Sequence, residues 1–199
     1  MNIAIRVDAS KTIGTGHVMR CLSLAEEFKK NCTEIIFVCR DLPGNLISEI
    51  ELSGHQVLRL QKDEEFDVNV TNEGSEYASW LQTNWKKDAL ETYSVLEPFA
   101  TLDWLIIDHY SIDERWEKIL RPLCKRLLAI DDLYNRKHDV DVLLNQNFPD
   151  INVKEYQHLL PEHCWQLLGP RFALLQDEYQ IARNFNKRKN KKIKNIFIY

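Results

Sequence analysis

Apolar positions along this chain follow two rhythms that take turns. Asn2 to Val7 is a short, nearly continuous apolar run, whereas Val18, Cys21, Leu22, Ala25 and Phe28 recur at the spacing of one helix face. The alternation continues with a strand pattern over Glu34 to Cys39, a short helix near Asn45 to Ser53 ended by Gly54, and a strand over Gln56 to Leu60. The polar stretch Gln61 to Gly74 reads as a loop or insertion. Helical segments follow around Glu76 to Thr83 and Lys87 to Leu96, then a strand over Trp104 to Asp108 and a helix over Asp113 to Leu120. Arg126 to Ile130, Val142 to Leu144 and Trp165 to Leu168 are further strands, the last stopped by Gly169 and Pro170. Apolar strands separated by helical patterns predict an α/β fold, a Rossmann-like parallel sheet with helices on both faces.

Composition sets the outer limits. With 199 residues, 44% of them hydrophobic, and five tryptophans, the chain can fill one substantial core. A net charge of −4 argues against a general nucleic-acid binder, and no run approaches the ~18 apolar residues of a membrane span. Five cysteines, Cys21, Cys32, Cys39, Cys124 and Cys164, are odd in number and lack metal-site spacing, so they read as small core residues in a reducing cytoplasm. The start of the chain goes straight into a strand, without the basic and apolar regions of a secretory leader. Residues 1–183 therefore read as one domain. The strongly basic segment 184–194 reads as a solvated interdomain linker, and 195–199 as the first strand of a second domain. On this reading the chain is the first half of a longer, two-domain protein.

Chemistry is most legible between Ile13 and Cys21 (IGTGHVMRC), where the first strand turns into the first helix. Gly14 and Gly16 can take backbone angles closed to other residues and let a ligand approach the main chain. A helix starting near His17 turns free N–H groups toward an anion or developing oxyanion, with His17 beside it as a base. The dinucleotide fingerprint needs a third glycine where Met19 stands, and the phosphate-loop motif needs a lysine and hydroxyl that are missing. The same residues also suit a plain strand-to-helix turn whose histidine caps or packs. Position favours function, since ligands of open α/β sheets bind beyond the carboxyl ends of the strands.

Other polar groups collect at the same predicted rim. Asp8 ends the first strand, Asp108 with His109 and Tyr110 another, Asp131 and Asp132 a third, and Asn145 to Asn147 a fourth. Taken singly, Asp108 and Asp131 are equally suited to capping the turns that follow them. No metal-ligand spacing links them, so no metal or other cofactor is expected. His55, His138, His158 and His163 lie in surface-like contexts.

Seven segments together carry a resemblance: Arg6–Ser10 (RVDAS), Ile13–Leu22 (IGTGHVMRCL), Asp108–Tyr110 (DHY), Trp116–Arg121 (WEKILR), Ile130–Asp132 (IDD), Leu143–Asn147 (LLNQN) and Leu168–Leu175 (LGPRFALL). In this order they resemble the N-terminal half of the UDP-sugar hydrolases of pseudaminic acid biosynthesis, a route to surface glycans such as those of flagellin. The resemblance implies the N-terminal domain of a two-domain GT-B-type fold, similar to the glycosyltransferase of the peptidoglycan lipid intermediate. It also implies hydrolysis of a UDP-2,4-diacetamido-2,4,6-trideoxyhexose by water attack at the anomeric carbon with inversion. The family's catalytic histidine falls on His17 and its D-H-Y tyrosine on Tyr110, while the family's C-terminal domain, the expected partner of this one, holds most of the UDP. Water is a poor nucleophile and UDP a good leaving group, so a base and good positioning matter more than a strong acid. Asp8 or Asp108 could orient the imidazole, and Tyr110 could hold the water or a sugar substituent. Gly14, Gly16, Arg20, Asp8, Asp108 and Asn145 are the expected substrate-binding residues. Two rival readings are a UDP-sugar glycosyltransferase of the same architecture and a non-enzymatic nucleotide-binding α/β module whose acidic strand ends form a regulatory site.

Overall fold

The computed structural model describes residues 1–30, 34–66, 77–99, 101–147, 156, 158–176, 178–179 and 181–182. Among these residues seven strands form one sheet: β1 (Asn2–Val7), β2 (Glu34–Arg40), β3 (Gln56–Leu60), β4 (Leu102–Asp108), β5 (Cys124–Ile130), β6 (Val142–Asn145) and β7 (Trp165–Leu168). Their order across the sheet is β3-β2-β1-β4-β5-β6-β7, and every pairing is parallel. Among the described residues the helices that accompany them include α1 (Gly16–Lys29), α2 (Ile47–Leu52), α3 (Trp85–Leu96) and α4 (Glu114–Leu120).

The side-chain period of two in the strands sorts the core into two layers. Ile3, Ile5 and Val7 of β1 and Ile35, Phe37 and Cys39 of β2 pack with Val18, Cys21, Leu22 and Ala25 of α1 and Ile47 and Ile50 of α2. The intervening residues, Ala4, Val38, Leu105, Ile107, Leu127, Ala129 and Leu143, face the other way onto Ala89 and Leu96 of α3 and Trp116 and Leu120 of α4. Both faces are thus covered, which is why the strands read as apolar throughout. Local chemistry sets the helix ends: the Asn84 side chain accepts from Lys86 N at 2.9 Å to start α3, and Asp113 accepts from Arg115 N at 2.9 Å to start α4.

Two expected elements differ. The helix expected over Glu76 to Thr83 is a single 3₁₀ turn, Ala78–Leu81, within the described residues, ended by Gln82 in the left-handed region. The helix near Asn45 to Ser53 is shorter, because the Asn45 side chain accepts from Ile47 N at 2.9 Å and so stands ahead of it. Cys21, Cys39, Cys124 and Cys164 are buried free thiols, as expected of core residues. Cys32, the linker 184–194 and the strand 195–199 lie outside the described residues, as does most of the polar stretch beyond Phe66. Among the described residues no helix is long and apolar enough to cross a membrane.

Candidate functional site

From β1 the chain moves outward to β2 and β3, and from β4 it moves outward the other way, so the strand order reverses between β1 and β4. The loops leaving neighbouring carboxyl ends at such a point diverge and open a crevice, the usual ligand position in open α/β sheets. Val7 and Asp108 are register partners there. Just beyond β1 the chain turns tightly: Gly14 N donates to Ser10 O at 2.8 Å, the Ser10 hydroxyl accepts from Thr12 N and Ile13 N, and Gly14 takes a φ of +79°. Gly16 does not need a left-handed conformation; it opens α1 instead, and a Cβ built there meets no heavy atom within 4 Å.

His17, in the first turn of α1, reaches across to β4. Its Nδ1 lies 2.6 Å from Asp108 Oδ1, and Asp108 is fully buried. Arg20, one turn further along the helix, grips the same carboxylate with Nε to Oδ2 and Nη2 to Oδ1, both at 2.5 Å. Burial opposes ionisation of Asp108, but the hydrogen bonds from Arg20 and His17 overcome it and hold the carboxyl below its ordinary value. An ionised carboxylate can only accept, so in the neutral imidazole Nδ1 carries the proton toward Asp108 Oδ1, with Arg20 Nη2 3.1 Å away, and the lone pair is on Nε2. Among the described residues Nε2 makes no hydrogen bond. The arrangement therefore leaves one oriented, unspent proton acceptor at the strand-order reversal.

Aromatic rings frame it. Tyr110 meets the imidazole edge-on with centroids 4.7 Å apart, and Trp80 does so at 6.0 Å. Trp80 also stacks on Tyr110 at 5.6 Å, and Tyr77 touches both. The Tyr110 hydroxyl donates to Asp132 Oδ1 at 2.6 Å; burial, then this bond, pushes the phenol well above its ordinary value.

Of the residues singled out in the sequence, His17, Arg20, Asp108 and Tyr110 therefore converge, with Gly14 and Gly16 beside them. Asp108, not Asp8, orients the imidazole. Asp8 faces the opposite layer, fully buried, where it accepts from Arg6 at 2.6 and 2.9 Å and from Arg40 N at 2.7 Å. Burial raises its proton affinity, but Arg6 overrides it and keeps it ionised. Arg6 and Arg40 share a second buried carboxylate, Asp88 of α3, which also accepts from Trp116 Nε1 at 2.9 Å. Asn145 is likewise occupied within the fold: its amide donates to the Tyr134 and Tyr156 hydroxyls at 2.6 and 3.0 Å, and its oxygen accepts from Asn147 N.

Two histidines expected at the surface are buried. His55 packs against Phe37, with Nε2 3.2 Å from Glu26. His138 lies between Glu117 Oε1 at 2.6 Å and Asp131 Oδ2 at 3.3 Å, and Asp131 Oδ1 accepts from Arg136 at 3.0 Å. A histidine in a polar sequence neighbourhood looks solvated, and only the folded chain brings two carboxylates 21 and 7 residues away to its ring. Sequence reasoning also missed Tyr77 and Trp80, which follow the polar stretch and carry no motif.

No protein-family profile matches the chain. It is 30% identical over 203 residues to an uncharacterised protein of Methanocaldococcus jannaschii, covering 100% of this chain and 36% of that protein. It is 29% identical over 199 residues to the UDP-2,4-diacetamido-2,4,6-trideoxy-beta-L-altropyranose hydrolase of Campylobacter jejuni, covering 95% of this chain and 57% of that enzyme. The chain thus spans well under two thirds of the length of either relative. Among solved structures, MurG of Acinetobacter baumannii is similar with a TM-score of 0.48 and 10% identity, over 75% of this chain and 41% of that one. Across nearly its whole length, then, the chain resembles a UDP-sugar hydrolase of the family to which its seven motifs point.

Proposed function

We propose that this chain carries the catalytic base of a hydrolase that cleaves a UDP-2,4-diacetamido-2,4,6-trideoxyhexose, releasing UDP and the free sugar in the cytoplasm, in pseudaminic acid biosynthesis. The observation that carries the reading is the His17–Asp108 pair at the strand-order reversal: a fixed tautomer with its acceptor nitrogen unspent. Water attacks the anomeric carbon from the face opposite UDP. The new C–O bond forms as the bond to the diphosphate oxygen breaks, the electron pair leaves with UDP, and the water proton passes to His17 Nε2. Arg20 neutralises Asp108, so the pair enters the reaction as a hydrogen-bonded support and not as a stray charge. Space over Gly14 and Gly16 and the open first-turn N–H groups of α1 suit an approaching phosphate or sugar oxygen. Trp80, Tyr77 and Tyr110 offer the apolar wall that a deoxy sugar with acetyl groups needs. Most of the UDP would be gripped by a second domain of the GT-B type, in keeping with the greater length of the relatives.

The test is turnover of UDP-2,4-diacetamido sugars by the full-length protein with no acceptor added. Free sugar and UDP in equal amounts are expected, with the anomeric configuration inverted when read early by NMR. A requirement for an acceptor alcohol would make the protein a glycosyltransferase; no turnover with either would leave a binding module. His17→Asn should keep the fold and lose about 10²- to 10⁴-fold in turnover, the usual worth of a general base.

A further inference from the structure

Tyr110 spends its only proton inside the protein. The hydroxyl donates to Asp132 Oδ1 at 2.6 Å, and the second carboxylate oxygen of Asp132 accepts from the Asn147 amide. Asp132 follows β5 and Asn147 follows β6, so two further strand ends converge on a phenol that itself follows β4. The Asp132 loop is anchored in turn: its neighbour Asp131 is tied to His138 and Arg136, and Arg136 Nε donates to Ile112 O at 2.7 Å. A hydroxyl on a loop is normally free to rotate and to serve as donor or acceptor by turns. Here one role has been removed, and the ring's edge contact with His17 keeps the phenol at the base.

We propose that Asp132 is a positioning residue that acts through Tyr110: by holding the hydroxyl proton it leaves the phenol oxygen an obligate hydrogen-bond acceptor beside His17. That oxygen then takes an O–H or N–H donor, the attacking water or an acetamido group of the sugar, and rejects ligands that present an acceptor there. The inference rests on the hydrolase reading for its ligand but not for the Tyr110–Asp132 pair itself.

Asp132→Asn keeps the side-chain volume but can donate to the phenol, so Tyr110 is free to turn its proton outward. In the full-length protein, Asp132→Asn and Tyr110→Phe should each lower kcat/KM by about threefold to tenfold, the range for a hydrogen bond between neutral groups. The double variant should be no worse than the weaker single one within twofold, because both changes remove one function. A loss confined to kcat assigns the water, and one confined to KM the acetamido group. Additive losses, or Asp132→Asn at the wild-type kcat/KM with Tyr110→Phe impaired, would overturn the proposal. A second readout needs no turnover. With ¹³Cζ-labelled tyrosine, the Tyr110 resonance, assigned by its loss in Tyr110→Phe, should titrate at clearly lower pH in Asp132→Asn than in wild type. An unmoved titration would refute the pairing even if the hydrolase reading stands; a moved titration in a protein that turns over no UDP-sugar would keep the pairing and discard the substrate.

Discussion

Replacing His138 by Gln should reveal an ion cluster whose contribution to stability disappears in mild alkali. Burial by itself would make the imidazole harder to protonate, but Glu117 and Asp131 on either side overcome it and raise the value from 6.5 to about 9. The folded protein therefore binds a proton more tightly than the unfolded chain does. A value raised on folding stabilises fully below the unfolded value and is lost as pH climbs through the folded one, so the window is pH 6.5 to 9. At about 1.4 kcal/mol per tenfold change in proton affinity, the rise from 6.5 to about 9 corresponds to about 3 kcal/mol. Urea unfolding of wild type and His138→Gln, followed by tryptophan fluorescence, should show the largest difference in stability near pH 6. That difference should shrink by about 3 kcal/mol by pH 9 to 9.5. Taking the difference removes the buried thiols, whose raised values also erode stability in alkali in both proteins. A difference that stays constant from pH 6 to 9.5 would refute the argument and mean that His138 is held as a neutral ring.

Three further outcomes follow from the same geometry. Asp88→Ala removes the carboxylate shared by Arg6, Arg40 and Trp116, leaving two guanidinium groups buried; unfolding free energy should fall by about 3–5 kcal/mol, and a loss under about 1 kcal/mol would show that the cluster relaxes around the gap. Gly16→Ala places a methyl where the protein itself has nothing within 4 Å, so thermal stability should hold or rise while KM for the UDP-sugar rises; an unchanged KM would mean that no ligand approaches this backbone. Turnover should survive excess chelator, because Asp8 and Asp108 are already neutralised by Arg6 and Arg20; abolition by chelator with recovery in Mg²⁺ or Mn²⁺ would reassign those carboxylates as ligands.

The local alphabet of this fold was legible because it is written in short-range periodicities. Strands β1, β3 and β7 have the expected bounds, since an apolar run between polar or glycine breaks has few other options. Helix α1 begins at Gly16, beside the expected His17, because the glycine turn can end the strand in only a few ways. The short 3₁₀ turn at Ala78–Leu81 was not legible as such: four residues span barely one helical turn, so periodicity cannot separate it from a helix.

The site divides the same way. That His17, Asp108 and Tyr110 would stand near one rim followed from strand-end positions, which depend only on where each apolar run stops. Which groups would touch did not follow. Asp8 directly follows β1 and Asp108 ends β4, yet a shift of one position in the pleat sends a side chain to the opposite face of the sheet. Asp8 went to the Arg6 layer and Asp108 to His17, 91 residues away in sequence. The burial of His138, the closing of Arg20 onto Asp108 and the locking of the Tyr110 proton by Asp132 likewise depend on contacts between distant strands and loops. The sequence by itself determined the elements, the parallel layering and the loop that carries the base. Only the tertiary structure decided which charges neutralise one another and which nitrogen is left free, because those outcomes turn on ångström-scale distances across the sheet that no spacing along the chain encodes.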